Sequence, residues 1–258
     1  MAALTDKHVL ITGGGSGIGA AIARLLAKEG ARITLAGRRL NALQAVAATL
    51  PHAFSCHTDV TREDDCLRLA AQAREALGPI DMVIANAGGA DSQTFSRVTA
   101  ASWQAAIDVN LTGTFLTIRA CLPDLLRSEA DNSGLRRIIC IASTAGVKGY
   151  AYVVPYVAAK HGVVGLVRAL AAEYARTPLT VNAVCPGYVA TPLLEKTIAN
   201  IIAKTGRTAE QATLELVKNN PQQRLIEPDE IAATVLWLCS PAARSVTGQA
   251  IAVAGGET

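Results

Sequence analysis

The feature that most constrains the fold is a glycine cluster, Thr12-Gly-Gly-Gly-Ser-Gly-Ile-Gly19, lying between an apolar run and a helical pattern. The run before it, His8-Val-Leu-Ile-Thr12, has no polar alternation, as expected of a strand buried on both faces. After it, Gly17 to Lys28 repeats Ala, Ile and Leu at helical spacing and stops before Gly30, a natural helix breaker. A strand that enters a helix through glycines lets the backbone approach a pyrophosphate, whose charge then meets the helix N-terminus. Taken alone the glycines fit a tight turn as well. Their place between strand and helix, in the first βαβ unit, favours a dinucleotide.

The same alternation continues along the chain. Strands are predicted over Arg32–Ala36, Ala53–His57, Asp81–Ala85, Arg137–Ala142, Thr180–Cys185 and Ala250–Val253, with helical stretches between them. Thr61 is expected to cap a helix with an acidic first turn, and Glu227-Pro-Asp-Glu230 to open the last long helix. With no repeat, linker or low-complexity tract, residues 1–258 are expected to form one α/β domain. Two helical patterns, Leu193–Lys204 and Thr208–Lys218, break the rhythm, and residues 191–224 are expected to act as a substrate lid.

Half of the residues are apolar and the net charge is only +3, without a basic stripe, so no nucleic-acid partner is expected. No apolar run reaches the roughly 20 residues needed to span a bilayer, and the first apolar segment is too short for a signal peptide. The expected compartment is the cytoplasm, with no membrane partner. The six cysteines are widely spaced and suit a reduced compartment. His52, Cys56 and His57 have no fourth ligand at a recognisable spacing, so no metal site is expected.

The chemistry is concentrated between Ser143 and Lys160. Tyr156 and Lys160 are four apart and share one helix face, where an ammonium would stabilise a phenolate and lower the phenol's pKa. That pairing makes Tyr156 a candidate acid/base. Ser143 ends the fifth strand, at the sheet edge where open α/β folds bind ligands, and its hydroxyl can hold a carbonyl or alcohol oxygen. The second strand ends in Gly37-Arg38-Arg39 with no acid in place. A guanidinium fork suits a 2′-phosphate, so NADP(H) is favoured, with NAD(H) as the alternative and surface arginines as the plain reading.

These motifs occur together with Asn86-Ala-Gly88 after the fourth strand, Asn110 in Val109-Asn-Leu-Thr-Gly113 and Pro186-Gly187 after the sixth. In that conjunction, over Thr12 to Gly256, the chain resembles the short-chain dehydrogenase/reductase family, whose glycine motif has the form TGxxxGxG. The resemblance implies a Rossmann-type, doubly wound, seven-stranded parallel sheet of order 3-2-1-4-5-6-7 and a homodimer or homotetramer. It implies a catalytic tetrad of Asn110, Ser143, Tyr156 and Lys160, with Asn110 holding a water in a relay to Lys160. It further implies cofactor contacts from Gly13, Ser16, Gly17, Ile18, Gly19, Asp59, Val60, Asn86, Ala87, Gly88, Pro186, Gly187, Val189 and Thr191, beside Arg38, Arg39, Tyr156 and Lys160. Two departures stand out: Ala85 where the family often has a second Asn, and Ser16 where many NADP-preferring members carry a base.

In its core motifs the chain is similar to bacterial ketoreductases of aromatic polyketide synthesis, and next to β-ketoacyl reductases and hydroxyacyl-thioester dehydrogenases. The expected substrate is a hydrophobic or aromatic ketone or alcohol, or a 3-hydroxyacyl or 3-ketoacyl thioester. Tyr150, Tyr152 and Tyr188 are candidate substrate-pocket residues. Ala172 stands where carrier-protein-dependent relatives use an Arg, which speaks against a carrier-bound substrate, although Arg136 and Arg137 offer alternative docking charges. The lid cations Lys196, Lys204, Arg207 and Lys218 fit either a coenzyme A phosphate or plain solvation. His161 reads as a packing or surface residue, Cys185 as a buried thiol, Asp108 as a helix-surface charge, and Trp103 and Trp237 as packing residues. The rival functions are a non-catalytic nucleotide-sensing regulator and a methyltransferase; the intact Tyr156/Lys160 pair opposes both.

Overall fold

The computed structural model describes residues 4–127 and 135–258. Seven parallel strands form one sheet in the order β3-β2-β1-β4-β5-β6-β7, the order the resemblance implies. The strands are β1 (His8–Thr12), β2 (Arg32–Gly37), β3 (Ala53–His57), β4 (Met82–Ala85), β5 (Arg136–Ile141), β6 (Leu179–Pro186) and β7 (Ala250–Val253). Every predicted strand is present, with ends differing by at most one residue. The inner strands β1, β4, β5 and β6 are buried throughout, whereas the edge strands β3 and β7 are partly open. Continuous hydrophobicity therefore meant two-sided burial only inside the sheet.

The helices follow from the same periodicities: α1 (Gly17–Lys28), α2 (Leu40–Ala47), α3 (Glu63–Leu77), α4 (Ala100–Ile107), α5 (Gly113–Leu125), α6 (Val154–Glu173), α7 (Pro192–Thr205), α8 (Ala209–Val217) and α9 (Pro228–Cys239). On one face of the sheet Ile22 and Leu26 of α1 join Ile231, Val235 and Leu238 of α9 against Ile11 and Ile84. On the other, Leu69 of α3, Ile118 of α5 and Val163 and Val167 of α6 cover Leu10, Val83 and Ile138. Burying each such side chain contributes about 1.5–3 kcal/mol, which makes these two layers the main hold on the strands that present the site.

Several local expectations change. Thr61 does not cap α3: its hydroxyl donates to Asp59 Oδ1 at 2.8 Å and Arg62 takes the cap position, because an acceptor two residues back is closer than the helix end. Trp103 and Trp237 are 38% and 43% exposed; the buried face of α9 is already filled by Ile231, Ala232, Val235, Leu238 and Cys239. Arg136 and Arg137 are buried at the N-terminal edge of the sheet, Arg136 on Asp81 at 2.9 Å and Arg137 donating to the Leu238 carbonyl at 3.0 Å. They begin a strand that the sheet encloses, so they are not docking charges. No helix among the described residues is long and apolar enough to cross a membrane.

Candidate active site

A cleft of about 1630 Å³ runs along the C-terminal ends of the strands. Ligand pockets commonly measure about 300–1,000 Å³, so this one has room for a dinucleotide and a second molecule together. At one end lies the glycine loop. Gly13 and Gly17 adopt left-handed φ values of 67° and 51°, and a Cβ on Gly19 would stand 2.4 Å from the Gly13 carbonyl. Gly13, Ser16, Gly17 and Ile18 line the cleft; Gly19 lies behind them and allows the close approach of α1 to the loop.

Thr12, which the sequence reading passed over, ties this loop to the next. Its hydroxyl accepts from the N–H groups of Asn86 and Ala87, both at 3.0 Å, while Asn86 Nδ2 donates to the Thr12 carbonyl at 2.9 Å. A hydroxyl at the last position of β1, before the glycines, is the signal that could have found it. Arg38, Arg39, Asp59 and Val60 line the same end. Arg39 donates to Ser16 Oγ at 3.0 Å, and Ser16, although at the N-cap of α1, makes no side-chain cap. The first-turn N–H groups of α1 are thus left for an anion, with a guanidinium held beside them. Glycines that admit a pyrophosphate, an uncapped helix N-terminus and two arginines suit a dinucleotide with an additional phosphate.

At the centre, α6 places Tyr156 and Lys160 on one face, with the ammonium 5.6 Å from the centre of the phenol ring. Lys160 is buried and donates to the Ile141 carbonyl at 2.8 Å. Burial lowers its pKa to about 8. Ser143, extended at the end of β5, holds the N–H of Ala145 at 3.1 Å and hydrogen-bonds the Tyr156 phenol. Burial raises the phenol's pKa against the lowering effect of that hydrogen bond. The ammonium was expected to lower it. In the protein alone desolvation prevails, and Tyr156 is held as the neutral phenol.

Asn110 sits in a π-helical turn, Asp108–Thr112, between α4 and α5, and is fully buried behind the cleft wall. Its Nδ2 donates to the carbonyls of Gly89 (2.9 Å) and Ala106 (3.0 Å), and its Oδ1 accepts from Gly89 N–H at 3.1 Å. A Cβ on Gly88 would lie 2.6 Å from that Oδ1 and 3.6 Å from Lys160 Nζ. Asn110 therefore fixes the Gly88–Gly89 backbone beside Lys160. A π-turn at such a place is typical of functional sites.

Pro186, Gly187, Val189 and Thr191 continue the wall from the end of β6. Tyr150, Tyr152 and Tyr188 line the far end, where the rings of Tyr150 and Tyr188 meet edge to face at 6.4 Å. Tyr152 has φ 67°, a strained value for a residue with a Cβ, and is 60% exposed. From the α7–α8 segment Leu193, Thr197, Ile201, Arg207 and Lys218 also reach the cleft. Arg207 and Lys218 both pair with Glu215, and the side chains of Lys196 and Lys204 lie outside the described residues. Elsewhere, Cys185 is a buried thiol with a raised pKa, and His161 is exposed with Nδ1 2.9 Å from the Val157 carbonyl. Asp108 accepts from Gln104 at 2.7 Å. Cys56 is buried with its thiol on Gln72, while His52 and His57 are exposed.

Comparison with known proteins places this geometry in context. The family model of short chain dehydrogenases matches residues 7–201. A D-beta-hydroxybutyrate dehydrogenase of Rhizobium meliloti is 36% identical over 259 residues, covering 98% of both chains. A putative ketoacyl reductase of Streptomyces coelicolor is 36% identical over 262 residues, covering 99% of this chain and 98% of the other. The crystal structure of an actinorhodin polyketide ketoreductase variant with NADPH superposes with a TM-score of 0.91 at 35% identity, over 100% of this chain and 99% of that one.

Proposed function

The chain belongs to the short-chain dehydrogenase family and is an oxidoreductase of that family; from that premise we propose that it interconverts a ketone and a secondary alcohol with NADP(H), Tyr156 serving as the acid/base. The observation that carries this is the meeting of Ser143, Tyr156 and Lys160 in one cleft with the glycine loop and Arg39. When bound, the nicotinamide supplies or accepts the hydride. Tyr156, neutral in the free protein, gives its proton to the forming alkoxide in reduction and takes the alcohol proton in oxidation. Ser143 holds the same substrate oxygen. Lys160 stabilises the phenolate that remains, and Asn110 positions the Gly88–Gly89 backbone next to it.

NADP(H) is supported by Arg39 poised over Ser16 and by the NADPH in the related ketoreductase. The whole chain acts as one catalytic domain, with α7 and α8 as the substrate lid. Ala145, Ala151, Val153, Val189 and Leu193 add apolar surface to the cleft lining, which favours a hydrophobic or aromatic ketone over a small hydroxy acid. A 3-ketoacyl thioester is the second reading, favoured by Arg207 and Lys218 in the cleft lining, two cations that share the one carboxylate of Glu215. The buried positions of Arg136 and Arg137 remove the support for a carrier-protein-bound substrate. Assembly as a homodimer or homotetramer is supported by the exposed Trp103, Phe115 and Trp237.

The test is NADPH oxidation across a panel of ketones and 3-ketoacyl-CoAs, repeated with Tyr156→Phe. The variant is expected to retain NADPH binding and lose about a thousandfold in kcat. Full activity in the variant would refute the mechanism.

A further inference from the structure

The segment after β7 contributes a contact that lies outside the family's tetrad and outside the lid. Gly255 and Gly256 take left-handed φ values of 62° and 90°, folding the chain back so that Glu257 enters the protein. The turn is closely held: a Cβ on Gly255 would stand 2.1 Å from Asn220 Oδ1, and one on Gly256 3.2 Å from Pro221, at the base of the lid segment. The Glu257 side chain is only 3% exposed. Its Oε1 accepts from the Tyr150 hydroxyl at 2.7 Å and pairs with Lys148 Nζ at 3.0 Å, and its Oε2 lies 3.3 Å from where a Cβ on Gly187 would be. Lys148 also donates to the Glu257 carbonyl at 3.1 Å.

The Tyr150 hydroxyl is also 2.7 Å from Thr144 Oγ1. A phenol has one proton. The carboxylate takes it, so the Thr144 hydroxyl is the donor in the second bond, and both capacities of the Tyr150 oxygen are spent on the wall. What Tyr150 offers the cleft is its ring, edge to face with Tyr188. A charged acceptor gives a stronger hydrogen bond than a neutral one, and burial removes competition from water. The ring is therefore fixed rather than free to swing.

We propose that Glu257 is a positioning residue: it fixes Tyr150, and through it the Tyr150–Tyr188 pair, as a rigid aromatic wall that selects flat, ring-containing carbonyl compounds over small aliphatic ones. This rests on the oxidoreductase function proposed above and adds the selection of substrate to it. A carboxylate that only held the fold together would affect all substrates alike. A positioning carboxylate affects the substrates that lean on the wall.

The experiment compares the parent protein with Glu257→Gln, Tyr150→Phe and the double variant, using 1-tetralone and 2-butanone as probe ketones with NADPH. Each single variant is expected to raise KM for 1-tetralone about tenfold at little change in kcat, with 2-butanone kinetics altered less than about twofold. The double variant is expected to be no worse than Tyr150→Phe alone, because both changes act on the same contact, one by removing the charge of its acceptor and the other by removing its donor. Binding of 2-naphthol, followed by its fluorescence, is measured in parallel and is expected to weaken by a similar factor. Should Glu257→Gln fail to fold, Tyr150→Phe alone must show the selective rise. Equal losses on both ketones, additive losses in the double variant, or unchanged KM for 1-tetralone would overturn the proposal. Absence of NADPH turnover in the parent strikes the oxidoreductase function instead. The wall is then judged by 2-naphthol, and absent or equal binding by parent and variants overturns it.

Discussion

At the N-terminal edge of the sheet, Asp81 accepts from Arg127 at 2.7 Å and from the backbone N–H of His8 at 2.8 Å, and pairs with Arg136 at 2.9 Å. At the C-terminal edge the buried ammonium of Lys160 donates to a backbone carbonyl, and no carboxylate pairs with it among the described residues. Both edges bury charge within the same parallel sheet. One neutralises it by opposite charges; the other leaves it uncompensated beside an open cleft. A buried charge with its counter-charge in place serves the fold, while one without it is held at a cost to stability and is available to a reaction.

The contrast breaks most visibly at Asp81. Asp81→Ala removes the carboxylate that pairs with Arg127 and Arg136, and breaking such a buried pair costs about 3–5 kcal/mol. Chemical denaturation is expected to show that loss, with kcat per folded molecule and KM for NADPH unchanged. An equal fall in kcat would mean that the two edges are not separable.

Lys160→Met runs the other way. Replacing an uncompensated buried ammonium by a side chain of similar length is expected to raise stability by about 1–2 kcal/mol while abolishing most turnover. A destabilised variant would show that Lys160 belongs with the structural charges.

The smallest effect concerns His8, whose ring nitrogens lie 2.7 Å from the Gly78 carbonyl and 2.8 Å from Thr34 Oγ1. Burial holds its imidazole below the usual histidine range, against the opposing hydrogen bond to the Gly78 carbonyl, with Arg32 adding to the lowering and Asp81 and Asp124 opposing it. Above the ordinary value of about 6.5 the ring is neutral in folded and unfolded chain alike, and the burial is free of this cost. As pH falls below that value the unfolded chain takes up the proton first, so stability declines until the folded pKa is reached. The decline is expected in denaturation midpoints between pH 7 and 5 and should be flatter in His8→Gln; the same slope in both would assign it to other groups.

How legible each edge was in the sequence follows from how local its determinants are. The strands, the glycine loop and the Tyr156/Lys160 spacing are written in runs of a few residues, and the structure has them where the periodicity put them. Arg136 and Arg137 misled because their burial depends on Asp81 and the Leu238 carbonyl, far away in sequence. Thr61 misled because Asp59 competes for its hydroxyl. The lowered pKa of Lys160 and the raised pKa of Tyr156 come from the depth of the cleft wall, which spacing does not encode. Glu257 was invisible, since only the folded chain brings it to Tyr150.

The central claim, that Lys160 is a buried charge without a counter-charge, is tested most directly by titrating that amine. NMR of side-chain-labelled lysines, with Lys160→Met to assign the resonance, should show a midpoint near 8. The rate kcat/KM for NADPH should fall over the same pH range, as the charge that stabilises the Tyr156 phenolate is lost. A midpoint at the ordinary lysine value of about 10.4, with a flat rate profile up to that pH, would contradict the account.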